Sequence, residues 1–81
     1  MGMKAYVLIA ADPGSTERVF ESLGGVDSVV ERYQVTGPYD IVAKLEAQQL
    51  SDFSSILGNE IRTIPGIEST TTLVAFPVSR R

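Results

Sequence analysis

The chain has 81 residues, a length that accommodates one domain with a single hydrophobic core. It contains neither cysteine nor histidine, which excludes disulfide bonds, thiolate or imidazole metal sites, and nucleophilic catalysis that depends on either residue. Seven Lys and Arg residues stand against ten Asp and Glu residues, for a net charge of −3. This balance argues against direct binding to nucleic acid or to an anionic membrane.

Hydrophobic residues make up 43% of the chain, but no apolar run approaches the ~18 residues that a membrane-spanning helix needs. The first strand pattern begins at Lys4, so we expect no signal peptide before it. We therefore expect a cytoplasmic protein without a membrane partner.

Hydrophobic periodicity and turn residues divide the chain into six elements. The predicted strands cover residues 4–11, 29–36, 41–47 and 67–76, and the predicted helices cover residues 16–24 and 49–64. In residues 29–36 we expect regular alternation, with Val29, Tyr33 and Val35 on one face. Gly58 is the weak point of the second helix, and Pro77 is expected to end the last strand.

The order βαββαβ is supported by a weak internal repeat. The segment Gly25-Val26-Asp27-Ser28 returns as Gly66-Ile67-Glu68-Ser69 after the second helix. Two βαβ units joined by a hairpin form a ferredoxin-like α+β domain. We therefore predict a four-stranded antiparallel sheet, with the first and third strands central and both helices on one face.

The first strand is apolar on both of its faces. Alternation places Ala5, Val7 and Ile9 on one face and Tyr6, Leu8 and Ala10 on the other. Because the helices cover only one face of the sheet, the other apolar face is exposed in a monomer, and such a patch usually marks an interface. We therefore expect at least a homodimer, packed sheet against sheet or side by side, with further assembly.

Two segments carry side chains suited to a small ligand. In the hairpin turn, Gly37 lets a ligand approach the backbone, Tyr39 offers a wall or a hydroxyl, and Asp40 can accept a hydrogen bond from an ammonium group. Residues 69–72 are four consecutive hydroxyl side chains, of which Thr70 and Thr72 share one face. An ordinary structural role also accounts for these residues, since such types are common in turns and strands.

The sequence VTGPYDIVAKLEA, followed by a helix and then by IRTIPGIESTTTLVAF, resembles the effector-binding RAM domain of the leucine-responsive regulator family (Lrp/AsnC). The resemblance covers residues 3–78 and includes a Gly-x-Tyr-Asp turn and a Pro-Gly-Ile step before a Thr-bearing last strand. It implies dimers formed through the sheets, octamers or other rings, and an amino acid bound between subunits. The residues it assigns to that ligand are Gly37, Tyr39 and Asp40, with Thr70 and Thr72 from a neighbouring subunit.

Regulators of that family carry an N-terminal helix-turn-helix domain, and we expect none before residue 3 here. The resemblance therefore implies a stand-alone, non-enzymatic sensor domain that does not contact DNA directly, with a full-length regulator of the same family as a candidate partner. No cofactor and no metal are expected. At Pro38 the family usually has a residue with a free N–H, so one backbone donor is missing from the expected site.

Two other classes share the βαββαβ order. A small dimeric α+β barrel enzyme would place His, Arg or Asp in a cleft between sheet and helices. An ACT-type amino-acid-binding regulatory domain would use a glycine after the first strand, where Gly14 is available. The three classes differ in where the ligand binds. The sensor domain binds it at the hairpin turn, the barrel enzyme in the cleft, and the ACT-type domain at the loop of residues 12–14.

Overall fold

The structure, a computed structural model, describes residues 2–76. Its elements are β1 (Met3–Ala11), α1 (Thr16–Leu23), β2 (Val29–Gln34), β3 (Ile41–Ala47), α2 (Leu50–Ile56) and β4 (Ile67–Ala75). A π-helical segment, Leu57–Ile61, continues α2. The predicted order of elements is confirmed, although several boundaries shift by a few residues. Pro77, expected to end the last strand, lies outside the described residues.

The four strands form one antiparallel sheet in the order β2-β3-β1-β4. Val7 of β1 pairs with Ala43 of β3 on one side and with Thr72 of β4 on the other. The ferredoxin-like α+β fold is thus confirmed, with β1 and β3 central. The edge strands β2 and β4 differ in charge: β2 carries Glu31 and Arg32, whereas β4 is uncharged over residues 69–75.

The hydrophobic core lies between the helices and one face of the sheet. The buried strand residues include Ala5, Val7, Ile9, Ile41, Ala43 and Leu45, and the buried helix residues include Val19, Leu23, Phe53, Ile56 and Ile61. Each large side chain in this set contributes roughly 1.5–3 kcal/mol by leaving water. Within residues 2–76 no polar or charged residue is buried, so the space between sheet and helices is filled by apolar side chains.

The second helix changes from an α-helical to a π-helical turn at Gly58, the residue that was predicted to weaken it. The backbone N–H of Arg62 donates to the carbonyl oxygen of Leu57 at 2.8 Å, a bond that spans five residues. Such a π-helical turn accommodates one residue more than an α-helical turn. The predicted helix therefore ends before Ile64, and its last turn brings Arg62 close to the start of β4.

The regular alternation predicted for residues 29–36 is wrong, because β2 contains a bulge. Val29 pairs with Leu45 and Glu31 with Lys44, so that two steps on β2 match one step on β3. The extra residue, Val30, is 47% exposed. A bulge shifts the two-residue period by one position. Val29 accordingly packs against the core, whereas Tyr33 points to the opposite face.

The sheet face away from the helices is called the open face here. It is formed around Tyr6, Leu8, Tyr33, Val42 and Leu73, which cross-strand pairing brings together. Tyr6 is 37%, Leu73 51% and Tyr33 55% exposed, so this face presents apolar side chains to solvent. Lys44, which pairs with Tyr6, lies on the same face. No helix in the described range has the length and apolar character to cross a membrane.

Candidate functional site

The hairpin turn between β2 and β3 has an accessible backbone. Gly37 adopts a φ of 132°, a conformation that L side chains rarely adopt. No atom lies within 4 Å of the point where a Cβ would stand on Gly37. The glycine is therefore required by the backbone conformation and not by close packing. It leaves the main chain of the turn open to a molecule approaching from outside.

Asp40 is half-buried and joins the hairpin turn to the end of β1. Its Oδ2 accepts a hydrogen bond of 2.8 Å from the backbone N–H of Ala11, and its own N–H donates to the carbonyl of Ile9 at 2.8 Å. The N–H of Val35 donates to the carbonyl of Asp40, also at 2.8 Å. Its second carboxylate oxygen, Oδ1, makes no hydrogen bond within the described residues. Asp40 therefore has one oxygen committed to the fold and one available to a ligand.

Tyr39 reaches across the end of β1 to β4. Its hydroxyl shares a hydrogen bond of 3.3 Å with Oγ1 of Thr71. Thr71 pairs with Leu8 and therefore belongs to the open face. The sequence did not indicate this contact, because the two residues are far apart in the chain and meet only once β1 lies between them.

Thr70 and Thr72 share a face, as their spacing predicted, and that face is the one turned to the helices. They pair with Ile9 and Val7, whose side chains are buried in the core. Both threonines are half-buried. Within one chain they lie on the opposite side of β4 from the Tyr39 hydroxyl contact. Their predicted contact with a ligand held by the hairpin of another subunit stays a prediction.

Two of the shallow surface depressions outside the hairpin turn contain residues of the candidate sites. One, of about 360 Å³, lies at the start of β4 and is lined by Arg62, Ile67, Glu68, Ser69 and Thr70. The other, of about 460 Å³, lies beside α1 and is lined by Gly14, Glu17, Arg18 and Glu21. The second includes the glycine that the ACT-type alternative would use, whereas the first includes one of the two predicted threonines.

A cluster of polar side chains borders the open face. The hydroxyl of Tyr33 donates to Glu31 Oε1 at 2.8 Å, and Lys44 Nζ lies 3.6 Å from Glu31 Oε2. The Tyr33 hydrogen bond and the Lys44 ammonium together hold the pKa of Glu31 below its ordinary value. The same hydrogen bond and the negative charge of Glu31 raise the pKa of Tyr33. The three side chains thus form a connected group on the same face as Tyr6 and Val42.

Comparison with known proteins places this geometry in a family. The family model described as the Lrp/AsnC ligand binding domain matches residues 4–79. The HTH-type transcriptional regulator FL11 of Pyrococcus horikoshii is 32% identical over 77 residues, covering 91% of this chain and 48% of that protein. The chain thus spans about half the length of the curated relatives that it matches.

Solved structures show the same fold. The crystal structure of TTHA0845 from Thermus thermophilus has a TM-score of 0.90 and 32% identity, covering 98% of this chain and 99% of that chain. The feast or famine regulatory protein (Rv3291c) from M. tuberculosis, complexed with L-methionine, has a TM-score of 0.80. It is 20% identical, covers 98% of this chain and 53% of that chain, and supports the fold alone. The family match over nearly the whole sequence shows that this chain belongs to the Lrp/AsnC ligand-binding domain family.

Proposed function

We propose that this chain is an oligomeric, non-enzymatic sensor domain that binds an amino acid between subunits, at the hairpin turn of residues 36–40. The observation that carries the proposal is the free Oδ1 of Asp40 beside the open backbone of Gly37. A carboxylate held in place by one hydrogen bond is a preorganised acceptor for the ammonium group of an amino acid. Family membership and the L-methionine bound by a protein of the same fold support this choice of ligand.

The carboxylate of the amino acid needs hydrogen-bond donors. Pro38 cannot provide a backbone N–H, so the donors on the hairpin are fewer than in a turn without proline. In the proposal, Thr70 and Thr72 of a neighbouring subunit supply hydroxyl donors from the helix-facing side of β4. The ligand would then contact two subunits, which couples binding to assembly.

The subunits in this proposal pair through the open face. Tyr6, Tyr33 and Leu73 are exposed there in the single chain, and an apolar patch of this kind usually marks an interface. Higher assembly into a ring, and mixed assembly with a full-length regulator of the same family, belong to the same proposal. Catalysis does not, because the curated relatives that the chain matches are transcriptional regulators.

A thermal-shift screen of the twenty amino acids, run together with native mass spectrometry, tests the proposal. We expect at least one amino acid to raise the melting temperature and to appear bound to a dimer or larger assembly, because binding to the folded state stabilises it. The matched control is the α-amide of the same amino acid, which keeps the ammonium but lacks the carboxylate. Absence of any stabilisation at millimolar amino acid would contradict the proposal.

A further inference from the structure

The depression at the start of β4 contains the groups that a carboxylate ligand needs. Arg62 contributes a guanidinium, Ser69 and Thr70 contribute hydroxyls, and Ile67 contributes apolar surface to a space of about 360 Å³. A guanidinium presents several N–H donors in a planar fork that matches the two oxygens of a carboxylate. We propose that Arg62 and Thr70 form a subsite for a small carboxylate at this edge of the sheet.

The backbone around Arg62 is arranged in an unusual way. Arg62 caps the π-helical segment, and its N–H donates to Leu57 at 2.8 Å. Single π-helical turns inside helices occur frequently at functional sites. Here the residue that follows is the arginine that lines the depression. The π-helical segment therefore ends at a cation that lies beside the start of β4.

The guanidinium of Arg62 is available for a ligand. Over residues 2–76 no carboxylate lies within ion-pairing distance of Arg62, although Glu68 lines the same depression. The Arg62 side chain is exposed, so its charge is free to meet a small anion that enters from solvent. The negative charge of Glu68 weakens the electrostatic attraction of the depression for anions in general. The geometry of the hydrogen bonds therefore decides which anion binds.

The subsite lies at the same end of the sheet as the hairpin turn. Ala11, the last residue of β1, pairs with Ile67 on one side and donates to Asp40 on the other. Arg62 also neighbours Thr70, which the proposed function places against the ligand in the adjoining subunit. If the proposed function holds, on which this identification rests, the bound carboxylate is that of the amino acid, and Arg62 replaces the donor missing at Pro38.

The test uses a carboxylate without an ammonium group. Succinate is titrated into the whole isotope-labelled protein while backbone amide NMR signals are followed, with succinamide as the neutral analogue of similar shape. We expect saturable shifts at Arg62, Ser69 and Thr70 with succinate and none with succinamide. Arg62→Ala should weaken succinate binding by about tenfold or more, the scale of one hydrogen bond to a charged group. Arg62→Lys should recover only part of the loss, because lysine lacks the fork.

The matched control is Arg18→Ala, which removes an exposed arginine from the other depression and should leave succinate binding unchanged. Equal shifts with succinamide, an unchanged affinity in Arg62→Ala, or no saturable shift with millimolar succinate would overturn the subsite. Amino acids are then added and the signals of Gly37 and Tyr39 are followed. A protein that binds succinate but shows no response to amino acids would keep the subsite and refute the proposed function.

Discussion

Asp40 and Ala11 are joined by a hydrogen bond of 2.8 Å from the backbone N–H of Ala11 to Oδ2 of the carboxylate. This bond fixes the hairpin turn against the end of the central strand β1. The same carboxylate is the proposed acceptor for the ammonium of an amino acid, through Oδ1. The structural and the ligand-binding roles of Asp40 can therefore be separated, because each uses a different oxygen.

Asparagine and alanine at position 40 should behave differently. Asp40→Asn keeps a carbonyl acceptor for Ala11 but removes the charge, so we expect near-native thermal stability with amino-acid affinity reduced by roughly 2–5 kcal/mol. Asp40→Ala also leaves the Ala11 N–H without its partner, at a further cost of about 1–3 kcal/mol in stability. Calorimetric titration and thermal melts of both variants measure the two effects. Unchanged affinity in Asp40→Asn would leave Asp40 with a structural role alone.

Gly66 should not tolerate a side chain. Its φ is 99°, and a Cβ there would stand 2.8 Å from Cβ of Ser15 and 3.1 Å from Cγ2 of Val19. Because backbone strain and steric overlap add, Gly66→Ala should lower the free energy of unfolding by about 2–4 kcal/mol. Urea denaturation measures this change. Gly58→Ala, in open space and without a positive φ, is the control and should cause no loss of stability.

A charge at the centre of the open face should break assembly. Leu8 is half-buried and lies between Val42 and Thr71. Leu8→Lys would bury an unpaired ammonium in a sheet-to-sheet interface, at a cost of several kcal/mol. Light scattering should therefore report monomers for Leu8→Lys. Val30→Lys, on the exposed bulge of β2, is the control and should assemble as the wild type does. A wild-type protein that is monomeric at micromolar concentration would contradict the prediction.

Glu31 should make stability depend on pH on the acid side. Its pKa is lowered in the folded state, first by the Tyr33 hydroxyl and then by Lys44. A carboxyl group of this kind contributes stability above its unfolded pKa of about 4.5, and that contribution is lost as the pH falls through the lower folded value. Glu31→Gln should therefore differ from wild type near neutrality and converge with it in acid. Urea midpoints across this pH range test the point, and a constant difference would contradict it.

Much of the fold could be predicted from the sequence, because burial of one face of a strand or helix produces a periodic pattern of apolar residues. The apolar faces of β1 and the turn at Gly37 are examples. The bulge at Val30 could not be predicted from the sequence. One extra residue leaves the alternation of apolar and polar residues on each side of it looking regular. The residue types of the candidate site were also indicated, but the Asp40–Ala11 and Tyr39–Thr71 contacts join distant positions and depend on the order of the strands.

The two edges of the sheet have unequal consequences for self-association. β2 is interrupted by a bulge and carries Glu31 and Arg32, features that discourage pairing with another strand. β4 is nine residues long and uncharged after Glu68. If a second copy paired its own β4 with this strand, both free edges of the joined sheet would be β2 strands, which are protected. We therefore expect the unequal edges to limit growth of the sheet by strand pairing to two chains.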